Sequence, residues 1–328
     1  MFLDKIKENM TYKKAAQKVV RHTSSVIYKL FRYCVLIGAA YIVLFPLFKM
    51  ITSSFTDPYE LFAGHSGYIP NESTFDNYKH FYSYFKVDQY LLRTCEIAFI
   101  CTALQLVSCS LVGYGLGRYK FKGSSIVFIA VLFTIILPTH VSTIPQFYNY
   151  RWFDLFGIGK IIGLFTGKTL TVNLLNNSMA MYTPALFAMG LRSGIFIFLF
   201  KQFFASMPRD LEEAAKLDGC GPFSTFLRVM VPNIKPVVVT TILLSVIYYW
   251  NDTTTSSLML KNEEGPTLMV RMEQIYEQSN AFYTISDSAQ KLAEQCCMAL
   301  VVVAPLIVLF LIGQRFFVEC MDRSGSKG

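Results

Sequence analysis

The sequence has few of the side chains on which soluble enzymes and metal proteins depend. Only 16% of its 328 residues are charged, and only four are histidine. The long apolar segments hold no metal-ligating cluster and no nucleophile beside a base, so a membrane-embedded enzyme is disfavoured. No chain of acidic and histidine residues and no internal inverted repeat is evident, which disfavours a secondary transporter or channel. The eight cysteines lack metal-ligand spacing, which indicates neither zinc nor a disulfide framework.

A nucleotide-binding loop is also missing. The stretch from Gly163 to Thr169 carries glycine, lysine and threonine in the order found in phosphate-binding loops. Such a loop needs four residues between its glycines, and here there are three, with Ile162 where the first glycine belongs. We therefore expect no ATPase site, no catalytic residue, no metal and no cofactor in this chain.

What the chain has in abundance is apolar residues, which make up 53% of it and give a mean hydropathy of +0.40. This share is too high for an ordinary soluble domain. The net charge of +8 does not indicate a nucleic-acid partner, because the basic residues gather in alternate loops between apolar stretches. Composition therefore predicts a protein embedded in membrane lipid.

Six apolar stretches approach or exceed the roughly 20 residues that cross a hydrocarbon core. We expect an all-α integral membrane fold with spans at about 33–55, 95–116, 124–148, 184–204, 237–260 and 298–313. Together they define a transmembrane domain over residues 33–318. The basic segment 1–32 is either a helix on the anionic inner leaflet or a flexible tail, and residues 319–328 form a second tail.

Charge predicts how these spans are oriented. The segments 1–32, 118–123, 201–235 and 314–328 hold 19 Lys and Arg residues. The segments 56–91, 149–183 and 257–295, which would lie on the opposite side of the membrane, hold 8. Basic residues concentrate in cytoplasmic loops. Both termini and residues 205–236 are therefore expected in the cytoplasm.

Residues 205–236 form the most informative polar stretch. Pro208 suits the first turn of a helix and Gly219 suits a left-handed C-terminal cap, so we expect a helix of about eleven residues between them. Its side chains at spacings of three and four present a leucine flanked by small residues, a face suited to docking: Leu211, Ala214, Ala215 and Asp218. A second amphipathic run should follow, with Phe223, Phe226, Leu227 and Met230 on one side, and should stop at Pro232.

This stretch resembles a known motif. Glu213-Ala214-Ala215, three residues, Gly219, nine residues and then Val229-Met230-Val231-Pro232 are similar to the EAA loop of type I ABC importer permeases. The resemblance implies a coupling helix that docks on an ATPase subunit through Leu211, Glu213, Ala214, Ala215, Asp218, Gly219 and Pro232. It also implies a second homologous permease subunit, two cytoplasmic ATPases that use ATP and Mg, and an extracytoplasmic solute-binding protein.

Other residues narrow the resemblance to carbohydrate permeases of the maltose-transporter type. They are Ile69-Pro70, Thr74 and Asn77-Tyr78 in the first external loop, Tyr114, Arg118, Phe121 and Gly123 at an internal turn, and Gln314 to Val318 with Ser326 to Gly328 in the tail. The resemblance implies import of an oligosaccharide by alternating access in a bacterial cell membrane. A permease for peptides, polyamines or another small solute remains the alternative, because the EAA loop indicates coupling to an ATPase and not which solute is transported.

Ionisable and aromatic residues inside the spans are candidates for the solute pathway. Arg192 lies nine residues before Lys201, about 13 Å along a helix, where a polar cavity or a carboxylate partner is required. Tyr249, Trp250, Asn251 and Asp252 resemble a stretch of many sugar permeases, and aromatic faces with amide and carboxylate groups suit sugars. The alternative is an aromatic belt at the membrane interface. Glu96 is near a span end, where headgroups can hydrate it.

Overall fold

The computed structural model describes residues 2–63, 69–154, 157–167, 171–261, 266–282 and 288–325, and within these residues regular structure is helical apart from two isolated β-bridges. The helices are α1 (Phe2–Phe55), α2 (Pro58–Phe62), α3 (Asp76–Phe85), α4 (Val87–Arg118), α5 (Ser124–Ile136), α6 (Thr139–Arg151), α7 (Ile158–Thr166), α8 (Met179–Leu186), α9 (Ser193–Ser206), α10 (Asp210–Leu217), α11 (Pro222–Thr225), α12 (Val231–Asn233), α13 (Lys235–Trp250), α14 (Thr254–Met259), α15 (Leu268–Phe282) and α16 (Ser288–Gly325). A π-helical turn, Phe226–Met230, joins α11 to α12.

The chain divides into two compact units. The first comprises Met1–Asn77 and Ser288–Cys297, and the second comprises Tyr78–Asp287 and Met298–Gly328. In the first unit the Asn77 side chain donates hydrogen bonds to the carbonyls of Ser54 and Thr56, at 3.1 and 2.9 Å. These bonds satisfy carbonyls at the end of α1 that have no partner within the helix.

Three helical segments in the described part of the chain are long and apolar enough to cross a membrane: Ser25–Phe55, Val87–Arg118 and Ala289–Arg315. The number rises to five if two bent pairs each count as one span, Ser124–Ile136 with Val141–Arg151 and Pro222–Asn233 with Lys235–Trp250. The multi-pass, all-helical prediction is therefore confirmed, whereas six spans remain a prediction.

The structure adds detail to the segments outside the predicted spans. Residue 32 lies inside α1, which runs from Phe2 to Phe55, and the boundary placed there stays a prediction. The regions 56–91, 149–183 and 257–295, between the predicted spans, contain α2, α3, α7 and α15. Amphipathic helices in these regions lack the long apolar runs that identify spans. The tail residues 326–328 lie outside the described residues.

Two predicted spans are interrupted. The third bends by 108° between α5 and α6, at Pro138, whose ring nitrogen cannot donate a helical hydrogen bond. The fourth is broken between α8 and α9, where Ala188 and Arg192 have left-handed backbone angles of φ 56° and 57°. At 14 residues, α9 alone is shorter than the roughly 20 residues of a typical span.

Helix α4 is the centre of the second unit, where it packs against α8, α9 and α13. A Cβ atom on Gly113 would clash with the side chain of Phe200, and one on Gly117 would lie 3.0 Å from the carbonyl oxygen of Lys201. The two glycines, four residues apart, therefore let the backbones of α4 and α9 approach closely. A buried aromatic cluster fills the space beside them and includes Phe196, Phe200, Phe204 and Phe226.

Candidate functional site

The predicted docking helix is present but shorter than expected. It covers Asp210–Leu217, and Pro208 precedes its N-cap instead of occupying its first turn. Its C-terminus is closed as the sequence predicts: Gly219 has φ 79°, and the amide of Cys220 donates to the carbonyl of Ala215 at 2.9 Å. This pattern of a left-handed glycine and a returning hydrogen bond is a Schellman motif.

The second half of the loop differs from the expectation in two ways. Phe226 and Met230 are buried, but Phe223 and Leu227 are exposed, so the four do not share one buried face. The helical run from Pro222 ends at Asn233, one residue later than the predicted Pro232, and the chain then bends by 83° into α13. Since proline has no N–H, the preceding turn is widened, and Val231 donates to the carbonyl of Phe226, five residues back.

The faces of α10 require a correction. Ala215 is only 4% exposed and Leu211 is half-buried, because α10 packs against α11 and the π-helical turn of its own chain. These side chains therefore do not form the outward face that we expected to enter a partner's groove. Instead Leu217 is 89% exposed and Phe223 is 65% exposed, while Glu213, Ala214 and Asp218 are also exposed. Leu217, Phe223 and Leu227 are large apolar side chains that this loop exposes.

A network of charged groups fixes the start of α10 to the end of α4. Nε of Arg118 lies 2.9 Å from Oε1 of Glu212, and Nη2 lies 3.0 Å from Oε2, so the pair is bidentate. Nη1 of Arg118 also donates to the carbonyls of Met207 and Phe204, at 2.8 and 3.2 Å. We call Arg118, Glu212 and Tyr114, whose hydroxyl donates to Oε1 of Glu212 at 2.9 Å, the Arg118 clamp.

The clamp is partly shielded from water and affects the protonation of Glu212. The side chains of Arg118 and Glu212 are 5% and 17% exposed. Burial alone would raise the pKa of the Glu212 carboxyl, but the hydrogen bonds from Arg118 and Tyr114 outweigh burial and hold this pKa below its usual range. The ring of Tyr114 packs on Phe204 and Phe226, with centroids 5.2 and 5.1 Å apart, so the clamp joins α4, α9 and both parts of the docking loop.

A second, uncharged network lies midway along α4. Nε2 of the fully buried Gln105 donates to the carbonyl of Leu191 and to Oγ of Ser193, both at 2.7 Å. Its Oε1 accepts from Oγ of Ser245 at 2.9 Å. The Tyr249 hydroxyl accepts from the amide of Leu191 at 3.3 Å. We call this the Gln105 network, and it supplies partners to polar groups exposed by the break between α8 and α9.

Arg192 lies at that break and not within a continuous helix. It is the N-cap of α9, and its guanidinium lies 5.9 Å from the ring centroid of Tyr248. Together with Tyr249 it lines a cavity of about 470 Å³. Among the described residues no carboxylate forms a salt bridge with Arg192. Arg192 thus lines a cavity, but most of the wall is apolar, whereas a polar cavity or a carboxylate partner was expected.

Trp250, Asn251 and Asp252 do not line this cavity. Trp250 is 3% exposed and donates from Nε1 to the carbonyl of Val302 at 3.2 Å. Asn251 bonds back to the carbonyl of Ile247 at the end of α13. The Asp252 carboxylate accepts from the amides of Thr255 and Ser256 and so caps α14. In this structure the stretch packs and caps helices, and only Tyr249 joins Arg192 at the cavity.

Glu96 accepts from Nη1 of Arg93 on its own helix at 2.7 Å and from the hydroxyl of Tyr182 on α8 at 2.8 Å. Sequence reasoning did not identify Gln105 or Glu212. Glu212 stands directly before the Glu-Ala-Ala string, and its acidic character at a helix start was the available signal. A single glutamine within an apolar helix was the signal for Gln105, because a buried amide requires several partners.

Comparison with known proteins identifies related chains. The family model described as "Binding-protein-dependent transport system inner membrane component" matches residues 110–319. The arabinooligosaccharides transport system permease protein AraQ of Bacillus subtilis (strain 168) is 26% identical over 291 residues, which are 87% of this chain and 91% of that protein. The maltodextrin transport system permease protein MalD of Streptococcus pneumoniae (strain ATCC BAA-255 / R6) is 25% identical over 90% of this chain and 94% of its own.

A solved structure shares the fold. It is a bacterial ABC transporter involved in the import of the acidic polysaccharide alginate, and one of its chains superposes with a TM-score of 0.67 at 20% identity. The match covers 90% of this chain and 98% of that chain. The breaks at α5–α6 and α8–α9 therefore occur within a fold that ABC importers use.

Proposed function

The chain belongs to the family of binding-protein-dependent transport system inner membrane components, and we propose that it is a permease subunit that carries an oligosaccharide into the cell through an ATP-driven importer. The observation that carries the proposal is the full-length likeness to permeases named for arabinooligosaccharides, galactooligosaccharides and maltodextrin. Membership also makes the chain a transport component of an ABC system and not an enzyme.

Family membership supports the following assembly. A second permease would complete the pathway, two cytoplasmic ATPases would bind ATP and Mg, and an extracytoplasmic binding protein would deliver the solute. The chain would cross a bacterial cell membrane six times with both termini inside, and alternating access would move the solute. The family name supports a binding protein and an inner-membrane location, and the distribution of basic residues supports the orientation.

Helix α10 is the proposed coupling helix. Glu213, Ala214, Asp218 and the exposed Leu217 would contact the ATPase, with Phe223 extending the same loop surface. Buried Ala215, half-buried Leu211, Gly219 and Pro232 would set the shape of the loop. Exposed leucine and phenylalanine on a polar loop are typical of a surface that a partner covers. The Arg118 clamp would pass movement of α10 directly to α4 and α9.

Reconstitution of the complex tests the proposal. The complex is purified through a tag on this chain and reconstituted in vesicles with its binding protein. These vesicles should accumulate an arabino-, galacto- or malto-oligosaccharide only when ATP is supplied. Leu217→Asp should remove the ATPases from the purified complex, whereas Leu164→Asp, equally exposed at 85% but on α7, should retain them. Uptake of spermidine or a peptide, with no saccharide transported, would favour the alternative cargo.

A further inference from the structure

Two adjoining cavities open beside the break between α8 and α9. The first is the cavity of about 470 Å³ that Arg192 lines, and the second has about 300 Å³. Gln146, Pro184, Phe187 and Met189 line both. Both volumes lie within or at the lower edge of the range of small-molecule sites.

Polar groups without protein partners face this space. Within the part of the chain that the structure describes, the side chains of Gln146, Asn149 and Arg192 form no hydrogen bond or salt bridge with another residue. Gln146 and Asn149 line the second cavity, and Arg192 lines the first. Arg192 and Asn149 are exposed and Gln146 is half-buried, so water can reach these groups in the free chain. Amide and guanidinium groups carry several donors each, and a ligand that displaces the water must supply acceptors for them. A ligand with many oxygen atoms would supply them.

The two cavities differ in charge. Arg192 is the charged residue of the first cavity among the described residues, and most of the wall around it is apolar. The second cavity has the carboxylate of Asp154 in its wall. An anionic group would therefore be attracted to the first cavity, while an uncharged polar group fits the second.

The position of Arg192 is fixed by its neighbours. Its left-handed backbone conformation is uncommon for a residue with a side chain and costs energy that surrounding contacts must offset. The Gln105 network bonds to the residues on either side, Leu191 and Ser193. Hydrogen bonds between uncharged groups thus hold Leu191 and Ser193 in place, and with them Arg192 at the cavity wall. They leave its guanidinium available to a ligand.

We propose that these cavities form a binding site for an acidic oligosaccharide, with Arg192 pairing with its carboxylate or phosphate and Gln146 and Asn149 bonding to hydroxyls of a neighbouring sugar ring. The guanidinium fork matches the oxygens of either anion in a bidentate arrangement. Apolar side chains such as Phe187 would cover the C–H surface of the rings. This inference rests on the proposed function and names the class of its cargo.

Equilibrium binding to the reconstituted complex, freed of its binding protein, tests the inference. The probes are labelled trigalacturonate, a phosphorylated trisaccharide and neutral maltotriose. The parent should bind one of the acidic probes at least about tenfold more tightly than maltotriose, and Arg192→Gln should abolish that preference. Gln146→Leu should weaken binding of acidic and neutral probes alike. Co-purification of the ATPases and the second permease with Arg192→Gln would show that the complex still assembles.

Arg151→Gln is the matched control. In the parent the guanidinium of Arg151 also lies over an aromatic ring, 4.9 Å from the ring centroid of Trp152, but Arg151 lines neither cavity. This variant should keep the preference for the acidic probe. Equal affinity of the parent for acidic and neutral probes would overturn the inference, as would an acidic preference that survives in Arg192→Gln. Either result would leave ATP-driven saccharide uptake, and so the proposed function, untouched.

Discussion

Helix α4 is joined to its neighbours by two networks, the Arg118 clamp and the Gln105 network, which differ in chemistry. At the C-terminal end of α4 the Arg118 clamp joins this helix to the docking loop through a bidentate ion pair. Thirteen residues earlier, about 20 Å along the helix, the Gln105 network joins it to the broken span through neutral hydrogen bonds. Charge is used where water can reach the loop, and uncharged amide and hydroxyl groups are used where burial is complete.

The difference teaches how one helix can serve both regions. Burying an ion pair inside an apolar bundle carries a large desolvation free energy that the ion pair must offset, whereas burying hydrogen-bonded neutral groups costs less free energy. Between the two networks Gly113 and Gly117 bring α4 into close backbone contact with α9. The docking loop and the cavity wall are therefore attached to the same pair of helices, and variants of each network should separate their contributions.

The largest effect is expected from Arg118→Met. The change leaves the Glu212 carboxylate partly buried without its cation and the carbonyl of Met207 without its donor. We expect the free energy of unfolding to fall by about 3 kcal/mol and saccharide-stimulated ATP hydrolysis to be lost. Denaturant titration of the purified complex and an ATPase assay measure the two effects.

Lys120→Met is the control for Arg118→Met, because it removes a cation from the exposed turn two residues later. It should change stability by less than about 0.5 kcal/mol. Equal behaviour of the two variants would show that the clamp does not stabilise the loop, and the comparison between the two ends of α4 would fail.

A smaller effect is expected from Gln105→Leu. The variant removes two donors and one acceptor from the break, which should cost about 2 kcal/mol and lower ATP-driven saccharide uptake while the ATPases remain bound. Gln202→Leu, an exposed glutamine on α9 without a hydrogen bond to another described residue, should be near neutral. Uptake assays and co-purification distinguish the outcomes, and loss of the ATPases in Gln105→Leu would contradict the separation of roles.

The sequence predicts different amounts of the structure in the docking loop and at the break between α8 and α9. Gly219 and the helix before it follow from local backbone rules, and Tyr114 and Arg118 were noticed through family resemblance. The partner of Arg118 could not be predicted, because Glu212 meets it only after α4, α9 and the loop have packed. Ala215 shows the same limit, since spacing assigns it to a face of α10 but only packing decides that this face is inward.

The break between α8 and α9 was missed for a related reason. Residues 184–204 read as one apolar run, and hydropathy contains no information about a left-handed residue at Ala188 or Arg192. The break exists because Gln105 and Tyr249, distant in sequence, bind the backbone there. Conversely, Trp250 and Asp252 have a composition suited to sugars, yet in this structure they hold helices through bonds to Val302 and Ser256.

The smallest effect concerns pH and sharpens the contrast between the charged and neutral networks. Because the pKa of Glu212 lies below its unfolded value of about 4.3, its carboxylate contributes stability above that pH and loses it as pH falls through the lower, folded pKa. Glu212→Gln keeps an acceptor for Tyr114 but cannot titrate. The stability difference between parent and variant, about 1 kcal/mol, should be constant from about pH 8 to pH 5.5 and shrink below about pH 4.3.

Denaturant titrations at each pH measure this difference, with Glu213→Gln as the control for removing an exposed carboxylate one residue away. The difference between the parent and Gln105→Leu should stay constant over the same acidic range, because the Gln105 network contains no carboxylate or imidazole. A Glu212→Gln difference that varied between pH 6 and pH 8 would mean that the carboxylate titrates near neutrality. The ion pair could then not hold α10 against α4 at physiological pH, and coupling would have to pass through the aromatic contacts of Tyr114 instead.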